Sequence, residues 1–311
     1  MKKITYTFKA IFVFIALTII FTACSKEPIA PTDERKGKGH EDPAKVEFII
    51  RKGHLHDKMF HADPISAINP VQKFFFELDN VSKNWVRKNE SGKILTESDP
   101  VLMIENSGKT VYALEIIYYN HKGERMNSEF TTSEMLPIHQ HFFEVNSYIN
   151  TKNNETVTQT DDLWSYEYRD TDPEDIMINQ FIDPTNSPRR SALTDNPLGL
   201  KGYFSPKKAY VKFNLQITLF HVTKGTKYIN DIKSKGFYPF NKVGDELEAR
   251  SSTDFSQKVP IYIFTTLPDG SEAETMRYYS DIARQYNITE EEAKRLIKEE
   301  KRNQENESFW M

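Results

Sequence analysis

Short apolar segments alternate with polar turns along most of this chain. Segments rich in β-branched and aromatic side chains are typical of β-strands. The clearest is 209–222, where Val211, Phe213 and Leu215 begin a series of apolar residues at every second position. Residues with this spacing share one face, so the segment predicts a long, half-buried strand. By similar arguments, strands are predicted at residues 45–50, 73–79, 110–120, 139–145, 162–170 and 258–267.

The pattern becomes helical near the C-terminus. Ser271 and Glu274 have the spacing of a capping box, in which two side chains satisfy free backbone N–H groups of the first turn. Thr289 and Glu292 repeat this signal before a second helical segment. The expected helices pack on a sheet through one apolar stripe. A helix that docks a partner protein is the alternative.

Strands that come first and helices that come last favour sheet-on-sheet packing over alternating strand–helix units. The predicted fold is mainly β, with two β-sandwich-like units and a short C-terminal helical segment. A stretch rich in Pro and Asp separates the two units. The predicted divisions are a first β domain (45–172), a linker (173–200), a second β domain (201–267) and C-terminal helices (268–311).

Composition excludes several classes of function. The chain has 41 Lys and Arg against 45 Asp and Glu, a net charge of −4, and it has no long basic block that would bind nucleic acid. There are only 12 glycines and no GxGxxG or Walker pattern, so no phosphate-binding loop is predicted. There is no GxSxG motif for a serine nucleophile. No catalytic residue is assigned, and a binding protein is favoured over an enzyme.

The N-terminus has the physical pattern of a secretory signal peptide. A basic segment with Lys2, Lys3 and Lys9 precedes an apolar run at residues 10–23. This run is short for a transmembrane helix. The run stops at Cys24, the single cysteine of the chain, so disulfides play no part. Removal of this leader, with its three lysines and no acid, changes the net charge to −7.

The sequence Thr22-Ala23-Cys24 resembles the lipobox of bacterial lipoproteins, with Phe21 where leucine is usual. Ser25-Lys26-Glu27 resembles the short signal after the lipidated cysteine in surface lipoproteins of the Bacteroidota. The resemblance ends near residue 28. It implies a signal peptide of residues 1–23, and an acylated Cys24 that starts a lipid anchor and flexible tether at 24–44. It also implies an outer-membrane lipoprotein exposed at the cell surface, with an outer-membrane transporter as partner.

Five of the eight histidines lie in two short segments, namely His54, His56 and His61 in one and His139 and His141 in the other. Composition alone gives about 0.2 His-X-His pairs for such a chain, and two are present. Residues i and i+2 of a strand lie about 6 to 7 Å apart on one face, so their imidazoles can bind one metal ion at about 2.0–2.1 Å. We therefore predict that these five histidines bind a transition metal ion or a metal complex.

Imidazole ligands suit zinc or copper better than iron. Haem is an alternative, with one or two of the same histidines on its iron and aromatic side chains against its ring. Nearby carboxylates are expected to be additional ligands or to orient the imidazoles. The carboxylates are Asp57, Asp63 and Glu144, and the aromatic residues are Phe60, Phe74, Phe75, Phe142 and Phe143.

A structural role, with hydrogen bonds to backbone or carboxylate groups, is the alternative for all of these histidines. It is the favoured interpretation for His121, in a predicted turn, and for His221, near a strand end. His40 lies in the tether and is left outside the predicted site.

A lipid anchor, a tether, a rigid β scaffold and clustered histidines favour capture of a metal for uptake over catalysis. Two other functions stay open. In one, Trp85 and Trp164 belong to a surface that binds glycans or proteins, and the histidines are structural. In the other, the protein is a zinc-dependent hydrolase with Glu144 or Asp57 as general base.

Overall fold

The computed structural model describes residues 35–106, 109–175, 191–192 and 196–303. The predicted signal peptide and Cys24 lie outside these residues. Residues 25–34 of the predicted tether, and 176–190 and 193–195 of the predicted linker, also lie outside them. The described residues from His40 onward belong to one unit.

Strands dominate the described chain, and every predicted strand coincides with an observed one, so the mainly β class is confirmed. The strands are β1 (Lys45–His56), β2 (Met59–Ala62), β3 (Gln72–Leu78), β4 (Trp85–Asn89), β5 (Val101–Glu105), β6 (Val111–Tyr119), β7 (His139–Glu144), β8 (Tyr148–Asn150), β9 (Glu155–Val157), β10 (Trp164–Tyr168), β11 (Thr171–Asp172), β12 (Ser191–Ala192), β13 (Lys201–Pro206), β14 (Val211–Val222) and β15 (Ser251–Thr266). The α-helices are α1 (Arg35–Lys38), α2 (Asn127–Phe130), α3 (Asp245–Ala249), α4 (Glu272–Tyr286) and α5 (Glu290–Asn303). Short 3₁₀ turns occupy Leu136–Ile138, Ile229–Asp231 and Lys233–Lys235.

The first sheet has the order β10-β13-β6-β1-β3-β4, and β2 pairs with the end of β1. Its neighbouring strands are antiparallel. The central strand β1 pairs with β6 and β3 along its first part, and its last residues continue into a hairpin with β2. The start of β1, which His40 precedes, therefore lies in the middle of the sheet, whereas its end, with His54, forms a hairpin with β2.

The second sheet has the order β5-β15-β14-β8-β9, and β7 also pairs with β14. The first part of β14 pairs with β8 and its last part with β7, while β15 runs along its other side. In this register His139 of β7 faces His221 of β14, and His221 in turn faces Ser252 of β15. The start of β7, the end of β14 and the start of β15 therefore meet at one end of the sheet.

The two sheets pack against each other over a shared aromatic and aliphatic core. Phe48 of β1 lies 5.9 Å from Phe255 of β15 between ring centroids, and Phe143 of β7 lies 5.6 Å from Phe204 of β13. Alternation along the strands explains this packing, since every second side chain of each strand points inward.

Both sheets contain strands from both predicted β domains. β13, which follows the predicted linker, pairs with β6 of the first domain. Conversely, β5, β7 and β8 precede the linker and pair with β15 or β14. The reason is that β14 and β15 are long strands whose backbone hydrogen bonds are completed by strands from earlier in the chain. The two predicted blocks are thus interleaved in the two sheets of one sandwich.

The two predicted helix starts are confirmed. The hydroxyl of Ser271 accepts a hydrogen bond from the N–H of Glu274 at 3.2 Å, and Thr289 accepts one from Glu292 at 3.1 Å. α4 and α5 bury a stripe of apolar side chains against Ile104 of β5 and Phe264 of β15. None of the helices among the described residues has the length and apolar character needed to cross a membrane.

Candidate metal centres

His139 and His141 lie two residues apart on β7 with buried side chains, but they contact different groups. The Nδ1 atom of His141 lies 2.9 Å from the carbonyl oxygen of Leu198, and its Nε2 atom lies 2.7 Å from the hydroxyl of Tyr118. A carbonyl can only accept, so Nδ1 carries the proton and Tyr118 donates to Nε2. Burial lowers the pKa of His141 to about 3, which keeps it neutral. Both ring nitrogens of His141 are engaged by Tyr118 and Leu198, so this predicted ligand lies outside the cluster that His139 joins.

His139 instead joins His40, His221 and Asp254 in a buried cluster, which we call the core site. The Nε2 atom of His40 lies 3.1 Å from Nδ1 of His221, and it lies 3.2 Å from Nε2 of His139. The Oδ2 atom of Asp254 lies 3.1 Å from His40 Nε2, 3.2 Å from His139 Nε2 and 3.5 Å from His221 Nδ1. The side chains of the four residues are between 0% and 9% exposed.

These spacings fit a tetrahedral metal ion. Zinc bound at about 2.0–2.1 Å by nitrogen and oxygen ligands places neighbouring ligand atoms about 3.3 Å apart. Five of the six ligand–ligand distances in the core site lie between 3.1 and 3.5 Å. All four atoms lie within 4.8 Å of one another. A single ion at their centre would therefore reach every ligand without movement of the backbone.

Hydrogen bonds to the backbone orient two of the imidazoles. The Nδ1 atom of His40 lies 2.7 Å from the carbonyl oxygen of Glu41, and Nδ1 of His139 lies 2.8 Å from that of Met135. Each Nδ1 must therefore carry a proton, which leaves the Nε2 lone pair directed into the core site. The two Nε2 atoms lie 3.2 Å apart, and a metal ion or a shared proton between them would offset the repulsion of two lone pairs.

A β-bulge directs Asp254 into the core site. Leu219 of β14 pairs with Phe255 and the next residue, Phe220, pairs with Thr253, so Asp254 is the extra residue of β15. Adjacent residues of a regular strand point to opposite faces. The bulge allows the side chains of both Asp254 and Phe255 to be buried, since a bulge changes the direction of the extra side chain.

The electrostatics of the core site suit a cation. Burial raises the pKa of Asp254, but the three neighbouring imidazoles lower it further, and the net result is a carboxylate that stays ionised. The Oδ2 atom of this carboxylate is buried and lies 3.1 to 3.5 Å from the three imidazole nitrogens. Burial lowers the pKa of His139, and the contacts with Asp254 and Met135 oppose this shift only in part. Neutral imidazoles and an ionised carboxylate are the protonation states that a metal needs.

The other three predicted ligands form a second cluster, which we call the hairpin site. His54 and His56 lie two residues apart on β1, and His61 of β2 faces His54 across the hairpin. All three side chains therefore project from one face, and their ring centroids lie 4.9 to 5.4 Å apart. The Nε2 atoms of His54 and His56 are 3.1 Å apart. This arrangement follows directly from the strand period of two.

Asp63 orients His54 in the hairpin site. Its carboxylate lies 3.0 Å from Nδ1 of His54 and 3.4 Å from Nζ of Lys52. Burial raises the pKa of Asp63, but these two contacts lower it more, so the carboxylate stays ionised. The carboxylate therefore holds the Nδ1 proton of His54 and directs Nε2 toward His56 and His61. Carboxylates that hydrogen-bond to zinc-bound histidines do the same in zinc sites. Asp63 is thus placed as the predicted orienting carboxylate.

The two clusters lie near opposite ends of β1. His40 precedes the start of β1 at Lys45, and His54 lies nine residues beyond Lys45. At a rise of about 3.3 Å per residue, that part of the strand spans roughly 30 Å. The two His-X-His segments therefore do not meet at one metal ion. Each segment belongs to a separate cluster.

Three residues of the core site were not in the predicted set. From the sequence alone, His40 falls in the tether, the favoured role of His221 is structural, and Asp254 is not among the candidate ligands. His221 continues the inward series of alternate residues that passes through Leu219 of β14, so its position on the apolar face was available from the sequence. Asp254 had no such signal, because the predicted strand at 258–267 begins after it and the bulge depends on pairing with β14.

Most of the side chains proposed for haem or glycan contact have core positions, whereas Phe75 is half-buried beneath Lys45. Phe60, Phe74, Phe142 and Phe143 are at most 3% exposed, and Trp164 is 6% exposed. Trp85 packs against Phe255 of the shared core. Among the described residues, neither candidate base belongs to a histidine cluster, since Asp57 lies in the hairpin turn and Glu144 accepts a hydrogen bond from the N–H of Val243. These residues therefore support the metal interpretation over the haem and glycan alternatives.

Comparison of the chain with protein-family models, with curated proteins and with solved structures gave no match.

Proposed function

We propose that this protein is a metalloprotein of the bacterial cell envelope that holds a resident transition metal ion, zinc by preference, in the core site. The observation that carries the proposal is the spacing of the four ligand atoms, with five distances of 3.1 to 3.5 Å. Three imidazole nitrogens and one carboxylate oxygen in tetrahedral arrangement are ligands that zinc accepts.

The resident ion has a structural role in this proposal. Structural zinc sites use four protein ligands, whereas catalytic sites keep one position for water or substrate. The core site supplies four ligands from four separate places, namely the segment before β1 and strands β7, β14 and β15. An ion bound there would cross-link the N-terminal segment to the second sheet, in the way that a disulfide stabilises an extracellular protein.

The envelope part of the proposal is supported by the N-terminal sequence. A basic start, an apolar run and a lipobox-like ending at Cys24 favour lipidation and an outer-membrane location. Incorporation of labelled palmitate into the wild type, and its loss in Cys24→Ala, would support the anchor. Protease sensitivity in intact cells would support surface exposure, and complete protection without permeabilisation would contradict it.

The metal at the core site is tested most sharply when the hairpin site is removed. In a His54→Ala/His56→Ala background, the purified protein is expected to contain one zinc per chain by elemental analysis. Addition of Asp254→Asn, which changes charge but hardly changes volume, should abolish this stoichiometric zinc. His121→Ala, at an exposed turn, is the matched control and should retain it.

Cobalt substitution supplies an independent measurement of the geometry. Tetrahedral coordination by nitrogen and oxygen should give Co²⁺ the strong visible absorption of a four-coordinate ion, because metal geometry follows the ligand set. A folded protein that binds neither Zn²⁺ nor Co²⁺ in this background, or an Asp254→Asn variant with unchanged metal content, would overturn the proposal.

A further inference from the structure

We propose that the hairpin site is a second, independent metal site that captures and releases a divalent transition metal ion at the protein surface. Its three imidazoles belong to one hairpin and do not depend on the core site. The ligands of this site are His54, His56 and His61, and Asp63 positions His54.

The contrast in exposure separates the two sites. In the core site the side chains of His40 and His139 are completely buried. In the hairpin site, His56 is exposed and the side chain of His54 is 26% exposed, while His61 forms the buried floor at 5%. An ion at the hairpin site would therefore face solvent on the side of His56, and an ion at the core site would not.

The number of ligands gives the second contrast. Among the described residues the hairpin site contains three possible ligands, because the Asp63 carboxylate already contacts His54 Nδ1 and Lys52 Nζ. A zinc ion with three protein ligands keeps a fourth position for a solvent molecule or an incoming donor. An incoming ligand can bind there before the imidazoles dissociate, which makes exchange of the ion rapid.

The pairing of β1 with β2 fixes the positions of the three histidines in the hairpin site. The hairpin register places His54 opposite His61, and the strand period places His56 on the same face. Gly53 permits the close pairing of the two strands, since a Cβ atom there would lie 2.1 Å from the carbonyl oxygen of His61.

Nitrogen-rich ligands select the class of ion. Three imidazoles without thiolates favour Cu²⁺ and Zn²⁺ over Mg²⁺ and Ca²⁺, which prefer oxygen ligands. A labile site for such an ion is what the capture function predicted from the sequence requires. The buried core site lacks this property, because release from it needs a local opening of the fold.

The test separates the two sites by stoichiometry and by release rate. Zn²⁺ is titrated into the metal-free protein against a chromophoric chelator, and EDTA is then added in excess. The wild type and the control His121→Ala should bind two ions per chain, while His56→Ala and Asp254→Asn should each bind one. The ion lost in His56→Ala should leave about 100-fold faster than the ion that remains, because it needs no local opening.

The number of ions bound by each variant decides between the two sites. Two ions in a folded His56→Ala variant, or equal release rates for both wild-type ions, would overturn the hairpin site. One wild-type ion that Asp254→Asn abolishes would also overturn it and would leave the core site intact. One wild-type ion that His56→Ala abolishes and Asp254→Asn retains would support the hairpin site and overturn the proposed resident ion. Unchanged thermal unfolding of His56→Ala would confirm that an exposed side chain was removed without loss of the fold.

Discussion

The Nε2 atom of His40 lies 3.1 Å from the Oδ2 atom of Asp254, and both side chains are buried. One residue precedes the first strand and the other is the extra residue of a bulge in the last strand. Their contact holds the start of the sandwich to its final strand. The contact also places side by side two of the four atoms that could hold a metal ion in the core site.

Removal of metal should lower the stability of the protein. At a free zinc concentration of about 1,000 times Kd, binding to the folded state alone contributes about 4 kcal/mol to the free energy of unfolding. For a domain of this size we expect EDTA to lower Tm by on the order of 10 °C. Differential scanning calorimetry with and without EDTA measures this difference. In the His54→Ala/His56→Ala background, which lacks the hairpin site, addition of Asp254→Asn should leave little response to EDTA. An equal response with and without Asp254→Asn in that background would contradict the prediction.

Replacement of His40 by Ala should remove a ligand of the core site. We expect zinc affinity there to fall by more than about 100-fold, since even residues that only orient a ligand alter affinity by about 10- to 100-fold. Competition titration in the His54→Ala/His56→Ala background measures the change. The exposed His121→Ala substitution should leave affinity unaltered, and an equal affinity in His40→Ala would show that His40 is not a ligand.

Tyr118→Phe should destabilise the fold without loss of metal. The substitution leaves the buried Nε2 atom of His141 without its donor, which costs about 1–3 kcal/mol. Chemical denaturation should show this decrease in the free energy of unfolding, while elemental analysis should show unchanged zinc. Tyr119→Phe is a matched control, because the Tyr119 hydroxyl donates to Glu47 in a half-buried position and should contribute less. Loss of zinc in Tyr118→Phe would place His141 among the ligands.

Gly53→Ala should damage the hairpin site and spare the core site. The new Cβ atom would overlap the carbonyl oxygen of His61 and the ring of Phe60, so β2 would have to move away from β1. We expect loss of the rapidly released ion and retention of the slowly released one in the EDTA experiment. Lys58→Ala, at the exposed turn of the same hairpin, should keep both ions. Two ions in Gly53→Ala would show that the site tolerates this displacement.

Asp63→Asn should weaken the hairpin site by about 10- to 100-fold, because an uncharged amide orients His54 less strongly than a carboxylate. Asp57→Asn removes the same charge from the turn of the hairpin, and asparagine tolerates the positive φ of 58° at this position. Zn²⁺ affinity should therefore change much less in Asp57→Asn. Equal decreases in the two variants would assign the effect to net charge rather than to the orientation of His54.

The sequence by itself determined the local features of this protein. Alternation located the long strands, hydroxyl and carboxyl residues marked both C-terminal helix starts, and the i, i+2 spacing placed His54 and His56 on one face. These features depend on residues a few positions apart, whose relative geometry is set by the strand or helix itself.

The tertiary structure alone decided which histidines meet. His139 and His141 share a strand face, yet one contacts His40 and the other contacts Tyr118. The position of Asp254 depends on a bulge that exists only when β15 pairs with β14. A ligand set drawn from four distant segments is fixed by strand order, register and packing between sheets, and no spacing along one segment specifies these relations.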